Sequence, residues 1–183
     1  MQQAEIIDVM LGSAIRIGEA LALRWSRVNG LDTDHPTITI DATLTRDDTG
    51  LIFSEMPKTS GSTREVRISS FAADALRRAA AVGLDGGPHD LVFPSLRGRD
   101  LLRQPAAVRD WITRLVQGTQ WEEWTGTHLF RKTAATAVAN SDSGGLEIAA
   151  KLLGHAGSDT ARKHYVKRAT LTPDVTNILD SFE

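Results

Sequence analysis

Residues 14–25 read AIRIGEALALRW and set an arginine at the head of an apolar segment. Alanine and leucine have high helix propensity and recur here at helical spacing, so the run predicts an amphipathic helix over residues 17–25. Arg16 stands where this helix begins, flanked by two isoleucines, and an arginine in such surroundings is costly unless it is paired. Glu19, one turn later, is the expected partner. A carboxylate in that position can serve the fold alone, or it can also hold a guanidinium in place for a substrate.

Patterns on both sides of this segment predict a mainly helical domain with a small three-stranded antiparallel sheet, an α+β fold. Strands are expected where short apolar or alternating runs lie between turn residues, at 37–40, 51–53 and 64–69. Helices are expected at residues 1–10, 71–82, 105–116, 128–140, 146–153 and 174–182, with a short one around Tyr165. Thr127 is expected to cap the helix that follows it, and Gly154 to end the helix that precedes it.

The composition indicates one globular domain with a single core. The chain has 183 residues, of which 41% are apolar and 24% charged. No apolar run approaches the roughly 20 residues that span a bilayer, and the absence of cysteine excludes disulfides and thiolate metal sites. The formal net charge is −2, but five lysines or arginines and one acid fall in residues 151–168, and five arginines against two acids in residues 97–114. A basic face of this kind is compatible with a polyanionic partner.

Six polar residues scattered along the chain offer a distinct chemistry. They are Arg16, Lys58, His128, Arg131, His155 and Tyr165. Tyr165 is the only tyrosine and stands among cations in the segment RKHYVKR. A phenol, with a pKa near ~10, becomes a good nucleophile only when positive charge or a base stabilises its anion. Guanidinium groups supply that charge and also bind phosphate oxygens in pairs.

Taken singly, these residues have ordinary interpretations. His128 and Arg131 are three apart on a predicted helix, so they share a face and can grip one anion, but such pairs also occur on solvated helices. Lys58 alone is typical of a surface turn, and His155 of a helix end, where the dipole favours it. No two histidines have the i,i+4 spacing of a metal site, so zinc is not expected. The prediction of a reaction centre therefore depends on the presence of all six residues in one chain.

Five segments in a fixed order resemble the tyrosine recombinase family, the phage integrases and their relatives. They are residues 14–25, 57–68 (PKTSGSTREVRI), 127–136 (THLFRKTAAT), 152–155 (LLGH) and 162–165 (RKHY). The resemblance covers nearly the whole chain and implies the catalytic-domain fold of that family. Residues 1–183 would form one catalytic domain, with the core-binding and arm-binding domains absent and the first helix cut short.

The resemblance implies that the arginines and histidines bind the scissile phosphate. Arg16 and Arg131 would bind its non-bridging oxygens and stabilise the pentacovalent transition state. His128 and His155 would hydrogen-bond the same phosphate and help to move the proton of the nucleophile. Glu19 would orient Arg16 from behind. We expect alanine at either arginine to cost orders of magnitude in cleavage with little loss of stability.

The resemblance also implies the reaction. Tyr165 would form a 3′-phosphotyrosyl link, and Lys58 would be the general acid for the leaving 5′-hydroxyl. The covalent link stores the energy of the cleaved ester, so neither a metal nor a nucleotide cofactor is needed. The implied function is a site-specific DNA recombinase that integrates or excises a phage or mobile element.

The implied partners are double-stranded DNA, further copies of the chain in a tetramer on that DNA, and accessory DNA-bending or excision factors, with no membrane. The implied location is the cytoplasm of a bacterial host, at the nucleoid. The resemblance implies that residues 171–183 contact a neighbouring copy. The sequence itself shows only an apolar stripe in this segment, formed by Val175, Ile178, Leu179 and Phe182. Docking of that stripe on the chain's own core is the alternative.

Other classes of protein stay open at this point. A type IB topoisomerase shares the chemistry but relaxes DNA as a monomer, whereas only a recombinase joins strands between two duplexes. A DNA-binding or partner-binding module without catalysis would give the complete set of six residues no use. A helical interaction domain would need the basic stretch near Tyr165 only for solubility, and DNA binding that weakens with salt would count against it. Trp121 and Trp124 belong to none of the motifs.

Overall fold

Helices and two small antiparallel sheets make up the computed structural model, which describes residues 2–55, 63–98, 100–123, 126–141 and 145–154. The helices are α1 (Gln3–Ser13), α2 (Ile17–Leu21), α3 (Ser70–Val82), α4 (Pro105–Val116), α5 (His128–Ala139) and α6 (Leu146–Leu152), with 3₁₀ turns at Trp25–Arg27 and Gly87–His89. The strands are β1 (Val28–Asn29), β2 (Thr37–Ile40), β3 (Ala42–Asp47), β4 (Gly50–Glu55) and β5 (Arg64–Arg67). The predicted class, mainly α with a small antiparallel sheet, is confirmed.

Four predicted helices, α3 to α6, are confirmed to within one residue at each end. Gly154 follows α6 with a φ of +65°, the left-handed conformation expected of a glycine that ends a helix. Thr127 precedes α5, but its backbone is already helical and its side chain makes no capping hydrogen bond, so the predicted cap is wrong. The helices predicted around Tyr165 and at 174–182 lie outside the described residues.

The helix predicted after Arg16 is shorter than expected and ends at Leu21. The backbone then turns to pair with a distant extended segment. The N–H of Val92 donates to the carbonyl of Leu23 at 2.8 Å, and Arg24 forms an antiparallel bridge with Leu91. A longer helix would need the same main-chain groups for itself. Long-range pairing therefore overrides the helix propensity of the alanine and leucine residues.

The three-stranded sheet has the order β1-β2-β5, with antiparallel neighbours. The strand predicted at 51–53 is not part of it. That segment lies in β4, which pairs with β3 in a separate hairpin. The sheet is completed instead by β1, which has two residues and is too short to show an alternating pattern. Strand membership was thus predicted wrongly for one of three strands, because sheet order is decided by contacts that are distant in sequence.

Two apolar clusters position the segments that contain Arg16 and Arg131. The larger one joins α1, α2, α3 and the three-stranded sheet. The smaller one joins the end of α1, the middle of α5 and the end of α6 through Ala14, Ala135, Ala150 and Leu153. Small side chains in the second cluster let the backbones approach one another closely. The turn between α1 and α2 is therefore held near the end of α6.

Gly18, in the first turn of α2, allows that helix to lie against β3. A Cβ atom at this position would be 2.6 Å from Oγ1 of Thr43 and 2.9 Å from the carbonyl oxygen of Leu44. Both distances are shorter than van der Waals contact, and a main-chain carbonyl cannot rotate away. The glycine therefore fixes the position of the helix that begins after Arg16.

We predict that Gly18→Ala lowers the free energy of unfolding by roughly 1–3 kcal/mol, because the added methyl group overpacks the contact between α2 and β3. Urea unfolding at pH 7 measures the change. Adding Thr43→Ala in the same chain should recover part of the loss, since it removes one of the two close atoms. A Gly18→Ala variant as stable as the parent would show that α2 and β3 are not packed this closely.

Candidate functional site

Arg16 and Glu19 form the ion pair expected from the sequence. The main-chain N–H of Arg16 donates to Oε2 of Glu19 at 2.8 Å, and its Nη1 donates to Oε1 at 3.0 Å. The Glu19 side chain is 1% exposed and that of Arg16 is 51% exposed. The carboxylate is thus part of the core, and it holds a guanidinium that stays half in solvent.

Arg64, on β5, is a second guanidinium on the same carboxylate. Its Nη2 donates to Oε2 of Glu19 at 3.0 Å and its Nη1 to Oε1 at 3.3 Å, a forked contact with both oxygens. The Arg64 side chain is only 9% exposed. Arg64 is not among the six residues predicted for the site.

The alternation of β5 contains the signal that could have identified Arg64. Residues two apart in a strand share a face, so Arg64 has the same orientation as Val66 and Ile68. Both of those residues are buried, at 5% exposure. An arginine in phase with two core residues must have a partner inside the protein.

Two opposing effects set the pKa of the Glu19 carboxyl. Burial alone would raise the pKa, because it disfavours the charged form. The hydrogen bonds and positive charge of Arg64, followed by those of Arg16, outweigh burial and hold the pKa of Glu19 below its usual range. Glu19 is therefore a carboxylate throughout the neutral range, and both arginines face a fixed negative charge.

Arg131 is buried, at 1% exposure, and connects three helices. From α5 its Nη1 donates to the carbonyl of Ala14 and its Nη2 to the carbonyl of Leu153, both at 2.6 Å. Ala14 ends α1 in the left-handed conformation, with φ of 56°, and lies two residues before Arg16. The structure thus brings Arg131 to the turn that holds Arg16.

The C-terminal end of α6 is bound by two arginines. Nε of Arg64 donates to the carbonyl of Leu152 at 3.3 Å, next to the Leu153 carbonyl that Arg131 binds. The last carbonyl groups of a helix lack partners within the helix and carry partial negative charge, so cations stabilise them. Arg16, Arg64 and Arg131 therefore belong to one connected network through Glu19, Ala14 and the end of α6.

The other predicted site residues are only partly covered by the structure. His128 is exposed and begins α5, one turn before the buried Arg131. The pair lies in one turn, as predicted, but its two members differ in exposure. Lys58, His155 and Tyr165 lie outside the described residues, and their roles stay predictions.

The basic stretch predicted at residues 97–114 does not present all of its arginines to solvent. Arg103 turns inward, and its guanidinium donates to the carbonyls of Phe93 at 3.3 Å and Pro94 at 2.6 Å. Burial lowers the pKa of Arg103. This arginine holds a loop, and sequence alone cannot separate such a role from a surface charge. Trp121, by contrast, is 44% exposed.

Residues that could hold a metal do not gather in the described part of the chain, where no group of three or more His, Cys, Asp or Glu side chains is found. Among the described helices, none has the length and apolar character needed to cross a membrane.

Comparison with known proteins gives a consistent family. Residues 1–171 match the phage integrase family. The chain therefore belongs to this family, the tyrosine recombinases. No protein of curated function matches the sequence.

Solved structures share the fold at low sequence identity. The Tn1549 transposon integrase (residues 82–397) in complex with circular intermediate DNA has a TM-score of 0.70 at 18% identity, over 97% of this chain and 58% of that one. XerA recombinase has a TM-score of 0.62 at 20% identity, over 99% of this chain and 56% of that one. The XerH recombinase in its pre-cleavage complex has a TM-score of 0.68 at 19% identity, over 99% of this chain and 46% of that one. The chain thus spans roughly half the length of these proteins, and the match confirms the predicted fold.

We predict that the two arginines differ in their contribution to stability. Arg131→Ala removes donors from two buried carbonyl groups, so it should lower the free energy of unfolding by roughly 2–4 kcal/mol. Arg16→Ala removes a half-exposed side chain while Arg64 still neutralises Glu19, so its cost should be about 1 kcal/mol or less. From the sequence alone, little loss of stability was expected for either change. Equal losses in urea unfolding would contradict the burial difference.

We predict that Glu19 contributes to acid sensitivity. A carboxyl whose pKa is lower in the folded state stabilises the fold fully above its unfolded pKa, about 4.3, and loses that contribution as pH falls through the folded pKa. The stability difference between the parent and Glu19→Gln should therefore be constant near neutrality and shrink below about pH 4. Unfolding measured from pH 7 to pH 3 tests this. A difference independent of pH would exclude a charged Glu19 as its source.

Proposed function

We propose that this chain is the catalytic domain of a site-specific DNA recombinase that cleaves and rejoins strands through a 3′-phosphotyrosyl intermediate. The observation that carries the proposal is the meeting of two arginines from distant segments at one turn. Arg16 stands half-exposed at the start of α2, and Arg131 donates to the Ala14 carbonyl two residues before it. Membership of the phage integrase family supports the same reading.

Arg16 is suited to bind a non-bridging oxygen of the scissile phosphate. Its guanidinium is held on one side by Glu19 and is 51% exposed on the other. A guanidinium that is fixed before the substrate arrives needs little reorganisation to stabilise charge that develops in the transition state. Arg131 would act on the same phosphate only after its Nη atoms exchange the carbonyls of Ala14 and Leu153 for phosphate oxygens. His128 and His155 would hydrogen-bond the phosphate.

The proposed cleavage step transfers a phosphoryl group from DNA to the protein. The phenolic oxygen of Tyr165 attacks the phosphorus atom while its proton passes to an imidazole of the site. The bond between phosphorus and the 5′-oxygen breaks, and that oxygen takes a proton from Lys58. The products are a 3′-phosphotyrosyl ester and a free 5′-hydroxyl, which reverses the step on the partner strand. No external energy source is consumed, because one ester replaces another.

The proposed partner is double-stranded DNA, with further copies of the chain assembled on it through residues 171–183 and with accessory DNA-bending or excision factors. The Tn1549 integrase structure contains circular intermediate DNA and the XerH structure contains its difH substrate, which supports DNA as the partner of a chain of the same fold. The net charge of −2 requires that binding depend on a local basic surface and not on overall charge. Integration or excision of a phage or mobile element is the proposed biological role, and the bacterial nucleoid the proposed location.

We predict that Tyr165→Phe abolishes covalent attachment to DNA and leaves DNA binding intact, because only the nucleophilic oxygen is removed. The assay uses nicked duplexes of randomised sequence, from which covalent adducts are separated on a denaturing gel and the attached peptide is identified by mass. Arg16→Ala, tested alongside, should lose orders of magnitude in adduct formation while remaining folded. An adduct that persists in Tyr165→Phe would remove the tyrosine from the mechanism.

The DNA captured in this assay also distinguishes a recombinase from a type IB topoisomerase. Duplexes recovered from the adduct are supplied in pairs with distinguishable ends. Joining of strands between the two duplexes supports the recombinase. Relaxation of supercoiled DNA without exchange would favour the topoisomerase.

A further inference from the structure

Arg64 is not one of the six predicted catalytic residues, yet it contacts the same carboxylate as Arg16. We propose that Arg64 is a positioning residue, which neutralises the carboxylate it shares with Arg16 and so leaves the Arg16 guanidinium with an uncompensated positive charge toward DNA. This inference rests on the proposed function and concerns the same site. Three features support it: the charge count around Glu19, the distribution of exposure, and the geometry of the fork.

The charge count gives the first step. Among the described residues, Arg16 and Arg64 share one carboxylate, since both contact Glu19 at 3.0 Å. Arginine stays protonated in proteins, so the group formed by Arg16, Arg64 and Glu19 carries one positive charge in excess. Without Arg64, the carboxylate and Arg16 would neutralise one another, and a phosphate would have to compete with Glu19 for the same donors.

Exposure decides where the excess charge is available. The side chains of Arg64 and Glu19 are 9% and 1% exposed, so a phosphate in solvent has little access to either. The Arg16 side chain is 51% exposed. The field of the excess charge therefore reaches solvent through Arg16, where low dielectric behind it reduces screening.

The geometry of the fork fixes the carboxylate. Arg64 binds both oxygens of Glu19, so the carboxylate plane cannot rotate freely, and Arg16 binds the same two oxygens with its N–H and Nη1. The Nε of Arg64 is held by the carbonyl of Leu152. Gly154 packs against the Arg64 side chain, since a Cβ atom at position 154 would lie 3.2 Å from Cδ and 3.3 Å from Nε of Arg64. A lysine would keep the charge but not this planar fork.

A purely structural role is the competing explanation, because Arg64 also joins β5 to the end of α6. The two explanations differ in what happens when the charge of Glu19 is removed. If Arg64 acts by neutralising Glu19, then Glu19→Gln should restore function to a chain that lacks the Arg64 charge. If Arg64 acts only as a tether, the second change removes a further contact and cannot help.

The experiment compares Arg64→Gln, Glu19→Gln and the double variant, with Arg67→Gln as a matched control. Arg67 lies on the same strand, is exposed, and donates to the carbonyl of Asp34 and not to Glu19. The rate of covalent adduct formation is measured on a nicked duplex that the parent chain cleaves, and thermal melting by circular dichroism confirms that each variant is folded.

We expect Arg64→Gln to slow adduct formation by about 10–100-fold, as is usual when a residue that orients a functional group is removed. The double variant should be faster than Arg64→Gln, and Arg67→Gln should keep the parent rate. Parent-like cleavage by Arg64→Gln, or a double variant no faster than it, would overturn the proposal. Absence of any adduct from the parent chain would instead count against the proposed function, so the two failures are distinguishable.

Arg64→Lys tests the proposal from the other side and does not depend on the folding of the glutamine variant. The charge is retained, so the slope of the logarithm of DNA affinity against the logarithm of salt concentration should match that of the parent. Loss of one phosphate contact would reduce the magnitude of that slope by about 0.9. A parent-like slope in Arg64→Lys supports the charge argument. A slope reduced by that amount in a folded Arg64→Lys protein would refute it.

Discussion

The buried carboxylate of Glu19 is the group on which the rest of this site depends. Its side chain is 1% exposed, and it accepts hydrogen bonds from two guanidiniums and one main-chain N–H. An unpaired charge in that position would be very costly, so burial of Glu19 requires Arg16 and Arg64 to reach it. The same contact that stabilises the start of α2 therefore also fixes the arginine that faces solvent.

Arg131 extends this arrangement to the end of the described chain. It connects the turn before Arg16 with the C-terminal end of α6, where Arg64 binds the neighbouring carbonyl. Unsatisfied carbonyl groups at a helix end attract cations, and two arginines from different elements meet that need here. In the proposed function these residues serve both the fold and the site. Loss of activity in Arg131 variants must therefore be read together with stability, whereas Arg16 can be tested almost independently of it.

Much of this could be predicted from the sequence, and the failures have physical causes. Helical periodicity gave α3 to α6, and the order of five segments gave the family. The spacing of Arg16 and Glu19 predicted their ion pair. The shortened α2 and the separate β3–β4 hairpin were missed, because long-range pairing decides both. Arg64 was missed although its place in the alternation of β5 marks it as inward-facing. Sequence spacing shows which residues share a face but not which of them is buried, as Arg131 illustrates.

The measurement that tests the central claim most directly is a pH titration of the Glu19 side-chain carboxyl followed by carbon-13 NMR. Two guanidiniums on one buried carboxylate should hold its pKa below the value of about 4.3 found for a free glutamate. A midpoint below that value supports the shared carboxylate as the centre of the site. A midpoint at or above it would mean that burial prevails over the arginines, and that Glu19 does not hold Arg16 and Arg64 together.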